Sequence, residues 1–421
     1  MKTNRYSGFH KLSIDERLKE VAEYCNLSED EQKTLLSADS LTLDIADHMI
    51  ENVIGRYALP LGIGMNLIMN GKEYLIPMVI EEPSVVAAMS NAARFARENG
   101  GFSASFTGPV MIGQIQVMGL SNPSYAGAKL FEHEEEIHEI CDSIDPYLAS
   151  HGGGFQKIEV RILDSKEGPM LILHLIVNTL DAMGANAINT MAERLAPKIE
   201  EWTGGKVYLR ILSNLATYRM ARASVTVKKE SLGGEEIVDK LVTAYHFAEI
   251  DPWRAATHNK GIMNGITPVV MATGNDTRAI ESGAHAFASL SGRYKSLTVW
   301  EKDANGNLCG TLEMPMAVGL VGGASKIHPT AKLAVKILGV ESAAELAEVI
   351  TCVGLSQNLA AIRVLATEGV QRGHMALHAR NVATTVGAKG KILDKIVEQM
   401  IKDNKVNAEY AAQLLENLQG Q

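Results

Sequence analysis

Little in the bulk chemistry of this 421-residue chain advertises a partner. Basic residues are in deficit: 40 Lys and Arg stand against 49 Asp and Glu, a net charge of −9. That balance argues against nucleic acid or an anionic membrane as a main partner. An anionic ligand must then be met by local basic groups rather than by a global field. The few cysteines, Cys25, Cys141, Cys309 and Cys352, are scattered with no metal-like spacing, which fits a reducing cytosol. No apolar run approaches the roughly 20 residues needed to span a bilayer, and no h-region follows the first five residues. The expectation is a cytoplasmic protein. Low-complexity tracts, blocks of like charge and internal repeats are also missing, and the chain is otherwise ordinary for a folded soluble protein, 46% apolar and 21% charged. Nor does any Gly-x-Gly-x-x-Gly follow a strand pattern, which speaks against a Rossmann domain.

A chain of this length is expected to divide into two or three domains. Residues 109–212 read as a self-contained module. Val110–Val117 alternates as a strand, 124–142 is charged and helix-like, Lys157–Leu163 alternates again, and Met170–Asn178 is a continuous apolar strand. Ala185–Trp202 has helical periodicity and Lys206–Leu212 is another strand, so the order is β-α-β-β-α-β, the ferredoxin-like pattern. Runs of glycine at 152–154 and 204–205 punctuate it. Before the module come short helices near 14–24 and 28–36, strands around Tyr57–Leu61 and Tyr74–Met78, and a helix opening at Pro83. After it, Pro268–Thr273 reads as a strand, Thr277–Ser289 as a helix, and Leu297–Met314 as a hairpin turning at Asn305-Gly306. A long helix spans about Ala343–Ala366, and short amphipathic helices follow a break at Gly369 and Gly373.

Three places carry chemistry, and each also has a duller reading. Residues 254–264 crowd Arg254, Thr257, His258, Asn259, Lys260 and Asn264 among Ala and Gly. Lysines are usually solvated at the surface. A protonated amine in such a setting can instead steady a developing oxyanion, and the planar fork of Arg254 suits a carboxylate. Asp181-Ala182-Met183-Gly184-Ala185-Asn186 lies at a strand-to-helix junction, where Gly184 permits close approach and free N–H groups can face a pyrophosphate. An ordinary capped helix explains that spacing equally well. His374 and His378 stand at i, i+4, a metal-ligand spacing, but no Glu lies between them as the zincin pattern requires; His378 is read as packing only.

With Glu81-Glu82-Pro83-Ser84, Gly274-Asn275-Asp276 and Gly373-His374, the 254–264 run resembles the soluble, class II 3-hydroxy-3-methylglutaryl-coenzyme A (HMG-CoA) reductases. The resemblance covers essentially the whole chain. It implies an α+β, α/β multidomain fold: a large helix-rich α/β domain (1–108 and 216–368) for substrate, coenzyme A and the dimer core. Into this is inserted a small ferredoxin-like, non-Rossmann dinucleotide-binding domain (109–215), and a C-terminal helical flap (369–421) follows. It implies Glu82, Lys260, Asp276 and His374 as catalytic, with Asp276 holding Lys260 protonated in a dry pocket and His374 protonating the departing thiolate. Burial would have to raise the pKa of Glu82 for proton donation, whereas a helix start would lower it; Asp276 by itself reads as a helix N-cap. Ser84, Arg254, Thr257 and Asn264 are implied for the hydroxymethylglutaryl group. His10, Lys11 and Gln357 with Asn358 are implied for coenzyme A, although His10 stands where some relatives have Arg.

Asp145, Asp181, Met183, Gly184, Asn186 and Asn214 are implied for the dinucleotide. Asp145 favours NAD, since a carboxylate accepts from a ribose 2′-hydroxyl and repels a 2′-phosphate; NADP stays possible. Glu51-Asn52-Val53-Ile54-Gly55 is a family signature read as structural, near a subunit interface, and residues 319–323 as a turn near the cofactor. The implied reaction is a four-electron reductive deacylation of HMG-CoA to mevalonate and coenzyme A with two NAD(P)H. No metal is implied, and neither a membrane nor nucleic acid is an expected partner. A homodimer or a multiple of it is expected, with the tail as a hinged cover. The same enzyme running catabolically, oxidising mevalonate with NAD and coenzyme A, is one alternative. An acyl-coenzyme A hydrolase, with a metal on His374 and His378, is another.

Overall fold

The computed structural model describes residues 3–367 and 379–419. Strands β1 (Leu61–Met69), β2 (Lys72–Val79) and β3 (Phe102–Phe106) precede a contiguous set, β4 (Val110–Met118), β5 (Gly154–Leu163), β6 (Met170–Asn178) and β7 (Lys206–Ser213). Strands β8 (Met220–Val227), β9 (Thr298–Lys302) and β10 (Leu308–Pro315) follow. The contiguous set closes its own sheet in the order β5-β6-β4-β7, every neighbouring pair antiparallel. The others form a six-stranded sheet, β2-β1-β3-β8-β10-β9. The chain therefore leaves the larger sheet after β3 and rejoins it at β8, which pairs antiparallel with β3 from Phe102↔Val225 to Phe106↔Ala221. The fold is mixed α/β.

Side-chain alternation explains the smaller sheet. Met111, Ile115 and Val117 of β4, with Leu171, Leu173, Leu175 and Val177 of β6, enter the main apolar core, where the helices Pro123–Glu132, Glu134–Ile144 and Ala185–Thr203 pack. Ile172 and Ile176, on the other face of β6, are buried as well, so this central strand reads as one apolar run. The expected 124–142 helix is two, meeting at His133.

Larger departures have clear causes. Residues 57–60 are not strand; β1 starts at Leu61 and turns into β2 through Asn70-Gly71, both at positive φ, the hairpin signal that such a pair supplies. The helix expected to open on Pro83 runs Val85–Arg97 with Ser84 as its cap. Pro268–Thr273 is not a strand: it is the end of the 21-residue helix Pro252–Ala272. Ile266, Val269 and Val270 there are wholly buried, and a buried helix shows the same unbroken apolar run as a buried strand. Asp276 accordingly follows a helix rather than a strand.

The helix Ala343–Ala366 occupies its expected span, but it also corrects the statement about apolar runs: it is long and apolar enough to cross a membrane. Here 72% of its most apolar window is buried inside the protein, as a core helix would be. It crosses Pro252–Ala272 at a pair of glycines. A Cβ on Gly265 would lie 2.7 Å from Gln357 Cβ and 3.0 Å from the Val353 carbonyl, and one on Gly354 would lie 2.7 Å from Ile266 Cδ1. Beyond the main core, the helices Gly390–Lys402 and Ala408–Gln419 share a small cluster around Ile396, Met400 and Ala411.

Because backbone and Cβ atoms oppose Gly265, Gly265→Ala is expected to force these helices apart and to destabilise the fold by about 1–3 kcal/mol. Urea unfolding of the variant against the parent measures it, and equal midpoints at equal slopes would refute the close crossing.

Candidate functional site

Asp251 starts the helix Pro252–Ala272 by accepting from Arg254 N–H at 3.0 Å, with Pro252 in the first turn. The polar run 254–264 is thus helical, and its residues separate by phase. His258 and Asn259 point inward, 2% and 0% exposed. His258 Nε2 lies 2.7 Å from Thr298 Oγ1 and 3.1 Å from Asn358 Nδ2. Asn358 Oδ1 in turn accepts from Trp300 Nε1 at 2.7 Å and from Thr298 Oγ1 at 3.0 Å. Asn259 donates to Tyr294 Oη and the Lys295 carbonyl and accepts from Leu297 N–H. Burial, helped by the charge of Arg254, pushes His258 down to about 3, so it is neutral in the fold.

Thr257 and Lys260 lie on the outer side, while Arg254 and Asn264 are half-buried. Burial also lowers the pKa of Arg254 from the usual guanidinium value, and among the described residues no carboxylate pairs with it. Proline has no N–H, so Pro268 leaves the Asn264 carbonyl without its i+4 donor. Lys260 Nζ donates to Glu82 Oε2 at 2.8 Å. The lysine is 60% exposed and Glu82 34%, which corrects the expectation of a buried lysine: this helix turns its glycine side, not Lys260, towards Ala343–Ala366.

Asp276 is also placed differently from expectation. Both of its oxygens take the Arg278 guanidinium at 3.0 Å, and Oδ1 caps the helix Thr277–Ala288 at the N–H groups of Arg278 and Ala279. Burial raises its pKa, but Arg278 and the two N–H groups outweigh burial and hold it below the ordinary value. Its ion pair in this chain is with Arg278, not Lys260. Asn275 of the same turn accepts from Gly319 N–H at 2.8 Å.

At the second junction, Gly184 (φ 92) opens the 19-residue helix Ala185–Thr203 with no side-chain cap. Its first-turn N–H groups and the positive end of the helix dipole are therefore available to an anion. A Cβ on Gly184 would lie 2.2 Å from Thr179 Cγ2. The Asp181 carboxylate is already committed: it accepts from Ala343 N–H at 2.7 Å, and its carbonyl takes Leu320 and Val321 N–H. The loop at 319–323 indeed lies on this junction, backbone against backbone, since a Cβ on Gly319 would meet Met183 N at 2.7 Å. Asn186 and Asn214 are exposed. Asp145 caps Pro146–Ser150 through Leu148 N–H at 3.1 Å with one oxygen, leaving the other to accept.

His10 and Lys11 sit exposed on the short helix Phe9–Lys11. Gln357, expected to reach coenzyme A, is 5% exposed, with its Oε1 buried and unpartnered, and Asn358 is 1% exposed. Both are drawn inward because the helix that carries them is buried. His374 and His378 lie outside the described residues. Among those described, no group of three His, Cys, Asp or Glu side chains could hold a metal ion.

Backbone strain marks both places. Among the described residues, seven non-glycine residues have positive φ, and five are Asn, a residue that tolerates it. The others are Ser84 (φ 75), two residues from Glu82, and Leu180 (φ 51), beside Asp181. Such strain persists only where the surroundings over-determine it, and it clusters at functional sites.

The helix Pro252–Ala272 thus carries an ammonium–carboxylate pair to Glu82 and a half-buried guanidinium, and a separate junction presents an uncapped helix end. Comparison with known proteins supplies the family. The sequence profile of hydroxymethylglutaryl-coenzyme A reductase matches residues 13–379. The 3-hydroxy-3-methylglutaryl-coenzyme A reductase of Archaeoglobus fulgidus is 58% identical over 416 residues, 99% of this chain and 95% of that protein. A probable enzyme of the same name from Borreliella burgdorferi is 35% identical, over 98% of this chain and 95% of that one. The class II enzyme of Streptococcus pneumoniae, solved bound to NADPH in open conformations, superposes with a TM-score of 0.83 at 40% identity, covering 97% of this chain and all of that one. The chain belongs to the hydroxymethylglutaryl-coenzyme A reductase family, in its class II branch, and is an oxidoreductase.

His258 gives the site helix a pH dependence. Its folded pKa, about 3, lies below the unfolded value of 6.5. The unfolded chain therefore binds the proton first as pH falls, and stability is lost between about pH 6.5 and pH 3. Urea unfolding at successive pH values is expected to show this loss, and to show less of it in His258→Gln; parallel profiles would refute the assignment.

Proposed function

We propose that this chain catalyses the reductive deacylation of HMG-CoA to mevalonate and free coenzyme A, consuming two reduced nicotinamide dinucleotides. The observation that carries this reading is the Lys260–Glu82 pair at 2.8 Å, beside the strained Ser84, in a chain of this family. The dinucleotide, when bound, supplies hydride. Lys260 faces the thioester oxygen and stabilises the charge that develops there. Glu82 or Lys260 then delivers the proton to the alkoxide. Arg254, with which no carboxylate among the described residues pairs, takes the free carboxylate of the substrate in its planar fork, and Thr257, Asn264 and Ser84 add polar contacts. Asp276 enters as the acid of the neighbouring turn, which Asn275 ties to the Gly319 segment. His374 is proposed as the acid that protonates the leaving thiolate.

For the dinucleotide the reading uses Met183, Gly184, Asn186 and Asn214, with Asp181 as the fixed post behind them. The free oxygen of Asp145 supports a preference for NAD over NADP. His10, Lys11 and Gln357 are proposed for coenzyme A. The chain is divided as a large domain (1–108 and 216–368), an inserted ferredoxin-like domain (109–215) and a flap (369–421). The β5-β6-β4-β7 order and the return of the chain to β8 support that division. A homodimer is proposed because large apolar side chains stand in water: Ile54 and Tyr57 are 103% and 89% exposed, and Trp253, next to Arg254, is 82% exposed. The reading places the enzyme in the cytoplasm.

The decisive experiment follows loss of the reduced nicotinamide by absorbance, with purified protein and HMG-CoA. Two dinucleotides consumed per thioester are expected, faster with NADH than with NADPH. Free thiol appearing with neither cofactor consumed would instead mean a hydrolase. Lys260→Ala is expected to lower turnover on the order of 10²–10³-fold; near-normal turnover in that variant would remove Lys260 from its role.

A further inference from the structure

Arg219 precedes β8 and is 0% exposed. A buried guanidinium normally meets a carboxylate, yet among the described residues none pairs with Arg219. The nearest charge acting on it is Asp181, whose oxygen is engaged by Ala343 N–H. Instead the fork spans one hydroxyl and two backbone carbonyls. Nη1 donates to Thr179 Oγ1 at 2.7 Å and to the Ala182 carbonyl at 3.1 Å, and Nη2 donates to the Val318 carbonyl at 2.5 Å. Nε is buried with no partner. Burial pushes its pKa down to about 10, so the group remains cationic at neutral pH.

These contacts have a consistent geometry. Thr179 and Ala182 bracket Leu180, the only apolar residue among the described ones with positive φ, and Gly184 packs directly over Thr179. Val318 adjoins Gly319, whose backbone touches Met183 and which Asn275 holds. One side chain thus straps a strained turn on one side and the Gly319 segment on the other, directly before an uncapped helix N-terminus.

We propose that Arg219 is a positioning residue for the dinucleotide: its buried fork fixes the 179–184 turn against the 316–320 segment, and its unneutralised charge stands behind the helix end that meets the phosphates. This rests on the reading of 181–186 as the dinucleotide junction. It assigns Arg219 an effect on dinucleotide affinity rather than on the thioester, because substrate groups on the helix Pro252–Ala272 do not depend on these three bonds.

The test uses the full-length enzyme and steady-state rates of HMG-CoA reduction. Arg219→Met, of similar length and uncharged, is expected to raise the dinucleotide KM about tenfold while the HMG-CoA KM stays within about twofold. Arg219→Lys, which keeps the charge but not the fork, is expected to recover most of that loss, to about threefold. If Arg219→Met does not fold, Arg219→Lys carries the same test by its smaller, dinucleotide-only shift. Equal shifts in both KM values, or none in either, would overturn the proposal. Gly184→Ala separates the two levels. If it leaves the dinucleotide KM unchanged, the junction reading fails and takes the role of Arg219 with it. If it raises that KM while the Arg219 variants do not, only the role of Arg219 fails.

Discussion

The close crossing of the helices Pro252–Ala272 and Ala343–Ala366 is the contact on which the catalytic side chains depend. Gly265 and Gly354 let the two backbones approach where a single methyl would collide. Beside that crossing, His258 Nε2, Thr298, Asn358 and Trp300 are joined in a buried hydrogen-bonded chain, with His258 Nδ1 left unpartnered. In a low-dielectric interior such groups are costly unless paired, so the chain of bonds fixes helix rotation more sharply than apolar packing alone. With rotation fixed, Lys260 emerges on the outer side within reach of Glu82. The residues that look catalytic in the sequence are therefore of two kinds, some facing the ligand and some holding the helix that presents them.

The junction proposed for the dinucleotide is built by a different device. Its turn carries a leucine in the left-handed region and a glycine pressed on Thr179, and surrounding groups hold it from several directions. The Asp181 side chain accepts from the first turn of the same long helix that crosses Pro252–Ala272, so that helix supports both the 254–264 run and the 181–184 turn.

Legibility in the sequence tracked how local each signal was. The spans of β6 and of Ala343–Ala366 were readable outright, and the β9–β10 hairpin was announced by Asn305-Gly306, since turn chemistry and apolar runs act over a few residues. The same signal stands at Asn70-Gly71, where β1 turns into β2. Pro268–Thr273 was misjudged because burial on all sides erases periodicity, the only local feature that separates helix from strand. At the site, the 254–264 run was conspicuous by composition, yet composition could not say that His258 and Asn259 turn inward. Asp276 looked like a cap and is one; its bond to Arg278, two residues on, was equally local. Arg219 gave no signal at all: an arginine in Tyr218-Arg219-Met220 resembles any other until three distant carbonyl and hydroxyl oxygens converge on it.

By itself the sequence determined the class of protein, the order of its elements and the residue types that chemistry of this kind needs, because motifs, turns and periodicity are carried by neighbours along the chain. Only the tertiary structure decided which polar groups of the 254–264 run turn outward and which turn inward, that Lys260 meets Glu82 across 178 residues while Asp276 stays with its own helix, and that a buried arginine straps the 179–182 turn. Those outcomes depend on desolvation and on contacts between segments far apart in sequence, which become defined only when the helices and sheets pack.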